Sequence, residues 1–477
     1  MEADIMIDTY NRKYISSEMA WNYRILPYQR INDILELYID EQLYTPSQKS
    51  ELEVVLGSEL RFIPMPSTAI EKALTKFYLN ESSSSKAQQS VTEILNKNFV
   101  NELLQQAKGF GSSDIHIEIY DQKCRIRLRI DGKLIEKMRL NKRDYPALVN
   151  KIKIMAGLDI SEKRLPQDGR ISFSFAETKY DVRVSVLPTL YGEKIVLRIL
   201  GHSATSVHLE ELGFSELDLS RYKESIRRPN GIILISGPTG SGKTTTLYGT
   251  LKLLNKEGEN IVTVEDPIEY TLEGINQVQV KEEIGLTFSS ALRSFLRQDP
   301  DIIMVGEIRD TETASLAIRA ALTGHLVLST IHTNSAWGTI SRLVDMGVPS
   351  FLLANTLNAS VAQRLIRLLC TSCREKVPLE ESIFPPSFKH KNVLANHYVA
   401  KGCKDCLYTG YRGRKAIYEV IPVESSVTDL ILSNEKNVSE AFKERKITTL
   451  QDSAFELFKN GETSVEEIYS LLLNDQY

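Results

Sequence analysis

Ile232-Ile-Leu-Ile235, followed by Gly237-Pro238-Thr239-Gly240-Ser241-Gly242-Lys243-Thr244 and then Thr245-Thr-Leu-Tyr-Gly-Thr-Leu-Lys-Leu-Leu254, decides how this chain is read. The first run has the length and apolarity of a buried parallel strand, and the last has the character of a helix. Between them the glycine pattern G-x-x-x-x-G-K-[ST] is matched without departure. Gly237, Gly240 and Gly242 let successive backbone N–H groups turn toward anionic oxygens, and the helix N-terminus adds partial positive charge. Lys243 brings a mobile cation to β- and γ-phosphates, and the Thr244 hydroxyl suits Mg2+. Candidate nucleotide contacts therefore run from Gly237 through Thr245. The expectation is an ATP site in an α/β domain.

Working outward, Ile261-Val-Thr-Val264, Ile302-Ile-Met-Val305 and Leu326-Val-Leu-Ser329 are further apolar runs of strand length. Each leads into polar residues. Asp301-Ile-Ile-Met-Val-Gly-Glu-Ile-Arg309 has the shape of a Walker B strand, with Gly306 intervening and Glu307 at the functional end. A carboxylate there can hold a metal-bound water or polarise the attacking one. Asp301, at the other end, is read as a cap or surface residue. Thr263-Val-Glu-Asp-Pro-Ile-Glu269 crowds three carboxylates, which repel unless a cation or donors share the site. Gly324-His-Leu-Val-Leu-Ser-Thr-Ile-His-Thr-Asn334 carries His325 and His332 at the two ends of a strand.

Cys370-x2-Cys373 and Cys403-x2-Cys406 supply four thiolates at the spacing of a tetrahedral zinc knuckle, and the filled set makes that zinc structural. A redox pair needs only one such hook. His390 and His397, between the hooks, are read as surface residues, and Cys124 as a small buried hydrophobe.

The chain has 477 residues, 42% hydrophobic and 25% charged, with five cysteines. The length suggests about three domains. The balance of 58 Lys+Arg against 62 Asp+Glu, a net charge of −4, argues against a nucleic-acid coat. No spanning apolar run and no signal-peptide core are visible, so a cytosolic protein is expected. Residues 1–80 read as a small helical module: Thr45-Pro46 starts one helix that Gly57 stops, and Ile70, Leu74 and Phe77 stripe a second from Ser67. The serine-rich stretch 81–90 reads as a linker. Residues 91–205 read as an α+β domain, 210–477 as the α/β domain with a four-Cys lobe at 370–415, and 424–477 as helices.

The glycine loop, TVEDPIE, DIIMVGEIRD and GHLVLSTIHTN, in that order, resemble the secretion ATPase superfamily, the motors of type II secretion and type IV pilus assembly. Ser113-Asp-Ile-His-Ile-Glu118, Arg164-Leu-Pro-Gln-Asp-Gly-Arg170 and Tyr180-Asp-Val-Arg-Val-Ser185 extend the resemblance upstream. It implies a PAS-like second domain before a RecA-like ATPase domain, assembled as a homo-hexamer and held at the inner membrane by assembly-platform proteins. It also implies ATP hydrolysis with Mg2+ and Zn2+, with Glu307 orienting water, Glu265 and Glu269 near metal and γ-phosphate, and His325 and His332 sensing the γ-phosphate. Arg170 and Arg183 are implied as cations reaching a neighbour's nucleotide, with Arg293, Arg297 and Arg309 as further candidates. The four-Cys insertion marks export and assembly motors and disfavours retraction. Type II secretion is the leading expectation and type IV pilus extension the alternative. A RecA-type nucleic-acid translocase would need a basic, aromatic-interleaved stripe that the sequence lacks. A decayed ATPase scaffold fits poorly with the intact Lys243, Glu307 and paired histidines.

Overall fold

The computed structural model describes residues 14–41 with short breaks, isolated positions between 49 and 56, and then 58–77, 98–200 (without 176–177), 208–388 and 394–473 (without 436). The Ser-rich stretch 81–90, the helix start at Thr45-Pro46 with its stop at Gly57, and His390 lie outside the described residues. Two compact units form: residues 1–130 with 134–198, and residues 199–477 with the turn 131–133.

The first unit corrects one expectation. Its beginning is not purely helical. β1 (Ile25–Ile31) and β2 (Ile34–Asp40) form an antiparallel pair, and β3 (Glu59–Met65) adds in parallel to β2. Leu35, Leu37 and Ile39 alternate into a core closed by Ile70 and Leu74 of the helix Ser67–Phe77. That helix starts where the sequence placed it. The two strands of the hairpin were hidden because they are short and interspersed with tyrosines and charges.

Next come β4 (Ser112–Ile119), β5 (Cys124–Ile130), β6 (Lys133–Leu140), β7 (Gln167–Phe175), β8 (Thr178–Thr189) and β9 (Gly192–Ile199). They make one six-stranded sheet in the order β6-β5-β4-β9-β8-β7. Asp131 and Gly132, both at positive φ, form the tight turn between β5 and β6. The helix Phe99–Gly109 buries Phe99, Leu103 and Leu104, and the helix Tyr145–Met155 buries Tyr145, Leu148 and Ile152. Cys124 is buried, as a small apolar residue should be.

The second unit is built on β10 (Gly231–Ser236), β11 (Ile261–Glu265), β12 (Asn276–Gln279), β13 (Ile302–Val305), β14 (Leu326–Ile331) and β15 (Leu357–Leu369). β16 (Glu375–Pro378) and β17 (Asn396–Val399) form a separate hairpin, and β18 (Tyr411–Pro422) returns to the main sheet. The main sheet runs β12-β11-β13-β14-β10-β15-β18; all neighbours are parallel except the β15–β18 pair. It is therefore mixed, an α/β sheet with an antiparallel edge.

Alternate side chains of β10 enter two cores. Ile232 and Leu234 pack with the helical side that includes Leu353 and Ile421, and Ile233 and Ile235 with Leu247, Tyr248 and Tyr418. Burying such residues on both faces contributes roughly 1.5–3 kcal/mol each and holds the strand ends rigidly. Helices Ser425–Leu432, Ser439–Glu444, Leu450–Lys459 and Val465–Leu472 complete the chain.

Candidate active site and metal centre

In a parallel sheet all carboxyl ends lie along one edge, where ligands bind. Ser236 of β10 pairs with Ile331 of β14, and Val305 of β13 with Ser329, so residues 237, 307 and 332 emerge side by side. Gly237, Gly240 and Gly242 adopt φ of 150°, 79° and 90°, within the range side chains rarely occupy. Helix Lys243–Leu254 starts directly from Gly242. Ser241 Oγ is buried in this loop and finds no partner. The loop thus offers a cradle of backbone donors and an unsatisfied hydroxyl, and its residues fit a nucleotide phosphate. Lys243 Nζ donates to the carbonyls of Gly237 (2.8 Å) and Pro238 (3.1 Å). Burial lowers its affinity for a proton, opposed by the nearby charge of Glu307. Thr244 is exposed at the mouth of the loop, where a hydroxyl can reach Mg2+.

Glu307 is held from both sides. Gly306 N–H donates to the Val264 carbonyl at 2.8 Å, Thr330 Oγ1 donates to the Gly306 carbonyl at 2.7 Å, and Ile308 N–H donates to the Thr330 carbonyl at 2.9 Å. A Cβ at residue 306 would meet the Val264 carbonyl oxygen at 3.1 Å, which explains the glycine before the acid. The Glu307 carboxylate accepts from Arg309 at 2.5 Å and lies 3.3 Å from His332 Nε2. Lys243, Glu307, Arg309 and His332 are thus brought together.

Other candidates are placed elsewhere. His325 immediately precedes β14 and its carbonyl accepts the N–H of Gly231, the first residue of β10. At about 3.3 Å per residue, it sits some six positions, ~20 Å, from the end carrying His332. Its Nδ1 lies 2.8 Å from the Ala320 carbonyl, so the strand does not bring the two histidines together within one chain. Glu265 is buried and its carboxylate accepts from Thr263 (2.6 Å), Gln277 (3.0 Å) and the phenol of Tyr248. That network supplies donors to one of the three crowded acids. The phenol of Tyr248, buried against this carboxylate, is held well above its usual proton affinity. Glu269 is exposed and its N–H donates to the same phenol. Arg293 pairs with Glu312, and Arg297 donates to Arg293's carbonyl at 3.0 Å within its own helical turn. Asp301 accepts the N–H of Asn260 at 2.7 Å, the capping duty expected of it. Arg170 and Arg183 are direct cross-strand neighbours on β7 and β8 of the first unit.

The β15–β18 ladder builds the metal centre. It brings Leu369 opposite Tyr411, so Cys370 follows one strand and Cys406 precedes the other. The four sulfurs of Cys370, Cys373, Cys403 and Cys406 all lie within 4.8 Å of one another, with 3.9 Å between Cys370 and Cys403 and 3.8 Å between Cys406 and both Cys373 and Cys403. Four sulfurs at 2.3 Å from a tetrahedral ion stand about 3.8 Å apart. Burial opposes the charge of the Cys406 thiol, yet N–H groups of Cys403 (3.1 Å) and Gly410 (3.2 Å) help bring it down to about 7. The donor set fits a zinc ion. His397 is not on the surface as expected: it is 7% exposed and its ring packs 5.7 Å from that of Phe458.

Residues 87–470 match the family described as Type II/IV secretion system protein. The chain belongs to that family. The Type IV pilus assembly ATPase PilB of Myxococcus xanthus is 47% identical over 388 residues, covering 79% of this chain and 68% of that protein. The Type II secretion system protein E of Pseudomonas aeruginosa is 46% identical over 371 residues, covering 77% and 74%. Among solved structures, the pilus retraction motor PilT with bound ADP aligns at a TM-score of 0.52 and 27% identity, covering 77% of this chain and 95% of that one. The Legionella pneumophila ATPase DotB, at 22% identity and a TM-score of 0.57, shares the fold. This chain is a secretion-system ATPase. No helix among its described residues is long and apolar enough to cross a membrane.

Proposed function

We propose that this ATPase works as a ring of six subunits on the cytoplasmic side of the inner membrane, driving assembly of a pseudopilus in type II secretion. Its seven-stranded unit is read as RecA-like and its six-stranded sheet with two helices as PAS-like. The observation that carries the reading is the meeting of Lys243, Glu307 and His332 at the carboxyl edge of one parallel sheet. There Lys243 exchanges the loop carbonyls for phosphate oxygens, and Glu307 orients the attacking water. His332 and Arg309 fix the Glu307 carboxylate. Mg2+, bound through Thr244, would supply charge neutralisation at the phosphates. Zinc at the four cysteines would hold the lobe between β15 and β18 together.

Arg170 and Arg183, cross-strand neighbours on β7 and β8, would form a paired cationic site for a neighbouring subunit's triphosphate. Residues 1–80 are the proposed docking module for an assembly-platform protein, and nucleic acid is not a partner. The similarity to the Myxococcus xanthus pilus assembly ATPase favours a second reading, extension of a type IV pilus.

Phosphate release from ATP by the purified protein with Mg2+ tests the central claim. Glu307→Gln is expected to lower turnover by at least about a hundredfold with ATP still bound. Turnover within about threefold of wild type (~0.7 kcal/mol) removes Glu307 from the chemistry.

A further inference from the structure

β15 passes beside the phosphate loop, and Gln363 and Arg364 mark the closest approach. A Cβ on Gly237 would fall 2.5 Å from the Gln363 carbonyl oxygen and 3.1 Å from Arg364 Nη1. A Cβ on Gly242 would fall 2.8 Å from Gln363 Nε2. Thr246, in the first turn after the loop, donates to Gln363 Oε1 at 3.0 Å. Gln363 thus packs under both ends of the loop. The Arg364 guanidinium reaches its first glycine.

That guanidinium also spans to the neighbouring loop. Nη1 donates to the Gln363 carbonyl at 2.9 Å and Nη2 to the Asn334 carbonyl at 2.8 Å. Asn334 is two residues beyond His332, which touches Glu307. Arg364 therefore reaches from β15, across the loop that follows β10, to the segment that follows β14, and its charge weighs on Lys243, the cation that meets the terminal phosphates; the helix N-terminus at Gly242–Thr244 serves the inner phosphates.

The charge is what demands an explanation. An arginine stays ionised, and a half-buried cation ordinarily has a carboxylate beside it. Among the described residues none makes an ion pair with Arg364; its partners are two carbonyls. Burial works against its charge, and the field of Glu419 supports it from a distance. The Glu419 oxygens themselves accept the N–H groups of Ala336 (2.8 Å) and Leu450 (3.2 Å). Two carbonyls use only part of a fork that carries five N–H donors. Arg364 and Lys243 thus present two cations to one glycine loop, with Glu307 the acid whose charge Lys243 feels.

We propose that Arg364 is a phosphate-binding residue of the ATP site, contributed by the same subunit as the glycine loop and directed at the terminal phosphate. The inference rests on the loop being the ATP site. Full-length Arg364→Ala, Arg364→Gln and Arg364→Lys proteins are compared with wild type for equilibrium binding of a non-hydrolysable ATP analogue and of ADP, each with Mg2+, alongside ATP turnover. Loss of a charge-assisted contact should weaken analogue binding by about tenfold or more in Arg364→Ala and Arg364→Gln. ADP binding should stay within about twofold of wild type, and Arg364→Lys should recover part of the loss.

Gln keeps a donor for the Asn334 carbonyl without the charge. Wild-type analogue affinity in Arg364→Gln would therefore overturn the proposal, and so would an equal loss for ADP. If Arg364→Ala does not fold, the Gln and Lys proteins carry the comparison. A wild-type protein that bound the analogue without hydrolysing ATP would count against the ATPase reading alone, since the binding measurements need no turnover.

Discussion

Lys243 ties the phosphate loop to itself: its ammonium donates to the carbonyls of Gly237 and Pro238. A nucleotide then exchanges with existing bonds. Lys243→Ala removes both the strut and the phosphate contact. Its expected result is loss of ATP binding by at least about a hundredfold, read by equilibrium titration, whereas Glu307→Gln retains binding. In the first unit Glu118 offers a pH test. Burial alone would raise its pKa, but hydrogen bonds from Arg127 and Arg125 outweigh this and hold it at about 2. A depressed carboxylate stabilises the fold above its unfolded value near 4.5 and loses that contribution as pH falls toward 2. Glu118→Gln should therefore lower the denaturation midpoint at pH 7, and the difference from wild type should shrink between pH 5 and about 2. A pH-independent difference would show that shape, not charge, is what Glu118 supplies. Glu307 and His332 were legible in the sequence because each stands just past a strand-length run, Glu307 after the intervening Gly306 and His332 directly after Ile331. His325 precedes its strand and so stands at the amino end of β14, away from His332. Arg364 left a trace: Gln363-Arg364 interrupts the apolar run of β15 on the side facing the loop.

Elements buried on both faces announce themselves, and β10, β11, β13 and β14 are continuous apolar runs for that reason. β12, Asn-Gln-Val-Gln, is an edge strand whose polar residues obscure it, and Gln277 is among them because it must reach Glu265. The β1–β2 hairpin was missed for a related reason: Glu36 is buried in it, paired with Arg61 and accepting from Gln29, where a simple pattern expects an apolar residue. The paired cysteine hooks were legible from spacing, but the buried His397 was not, because its cover, Phe458, comes from a helix sixty residues on. The lobe carries its own test. One zinc per chain is expected by metal analysis, and Cys403→Ser should lose it, with a fall in thermal midpoint of several degrees. Full metal retention in that variant would remove Cys403 from the site.

At the scale of the molecule, the charges of greatest consequence are those proposed to meet a neighbouring subunit's nucleotide. Arg170 and Arg183 face each other across β7 and β8. If a neighbour's triphosphate sits between them in the working assembly, specific activity should rise with protein concentration. Alanine at either position should then cut turnover by roughly a hundredfold or more while leaving ATP binding near wild type. Activity that is linear in concentration down to dilute monomer, with full turnover in both variants, would locate the complete site within one chain. The β15–β18 ladder has a quieter consequence. The chain departs after Leu369 and comes back at its paired residue Tyr411, so the cysteine lobe opens and closes at one seam. Phe384 nevertheless joins the main core, its ring against Phe455 and Phe458, so the lobe is anchored in the helix Leu450–Lys459 as well as at the seam. Removing the lobe would therefore uncover those rings while leaving the strand pair at its base closed.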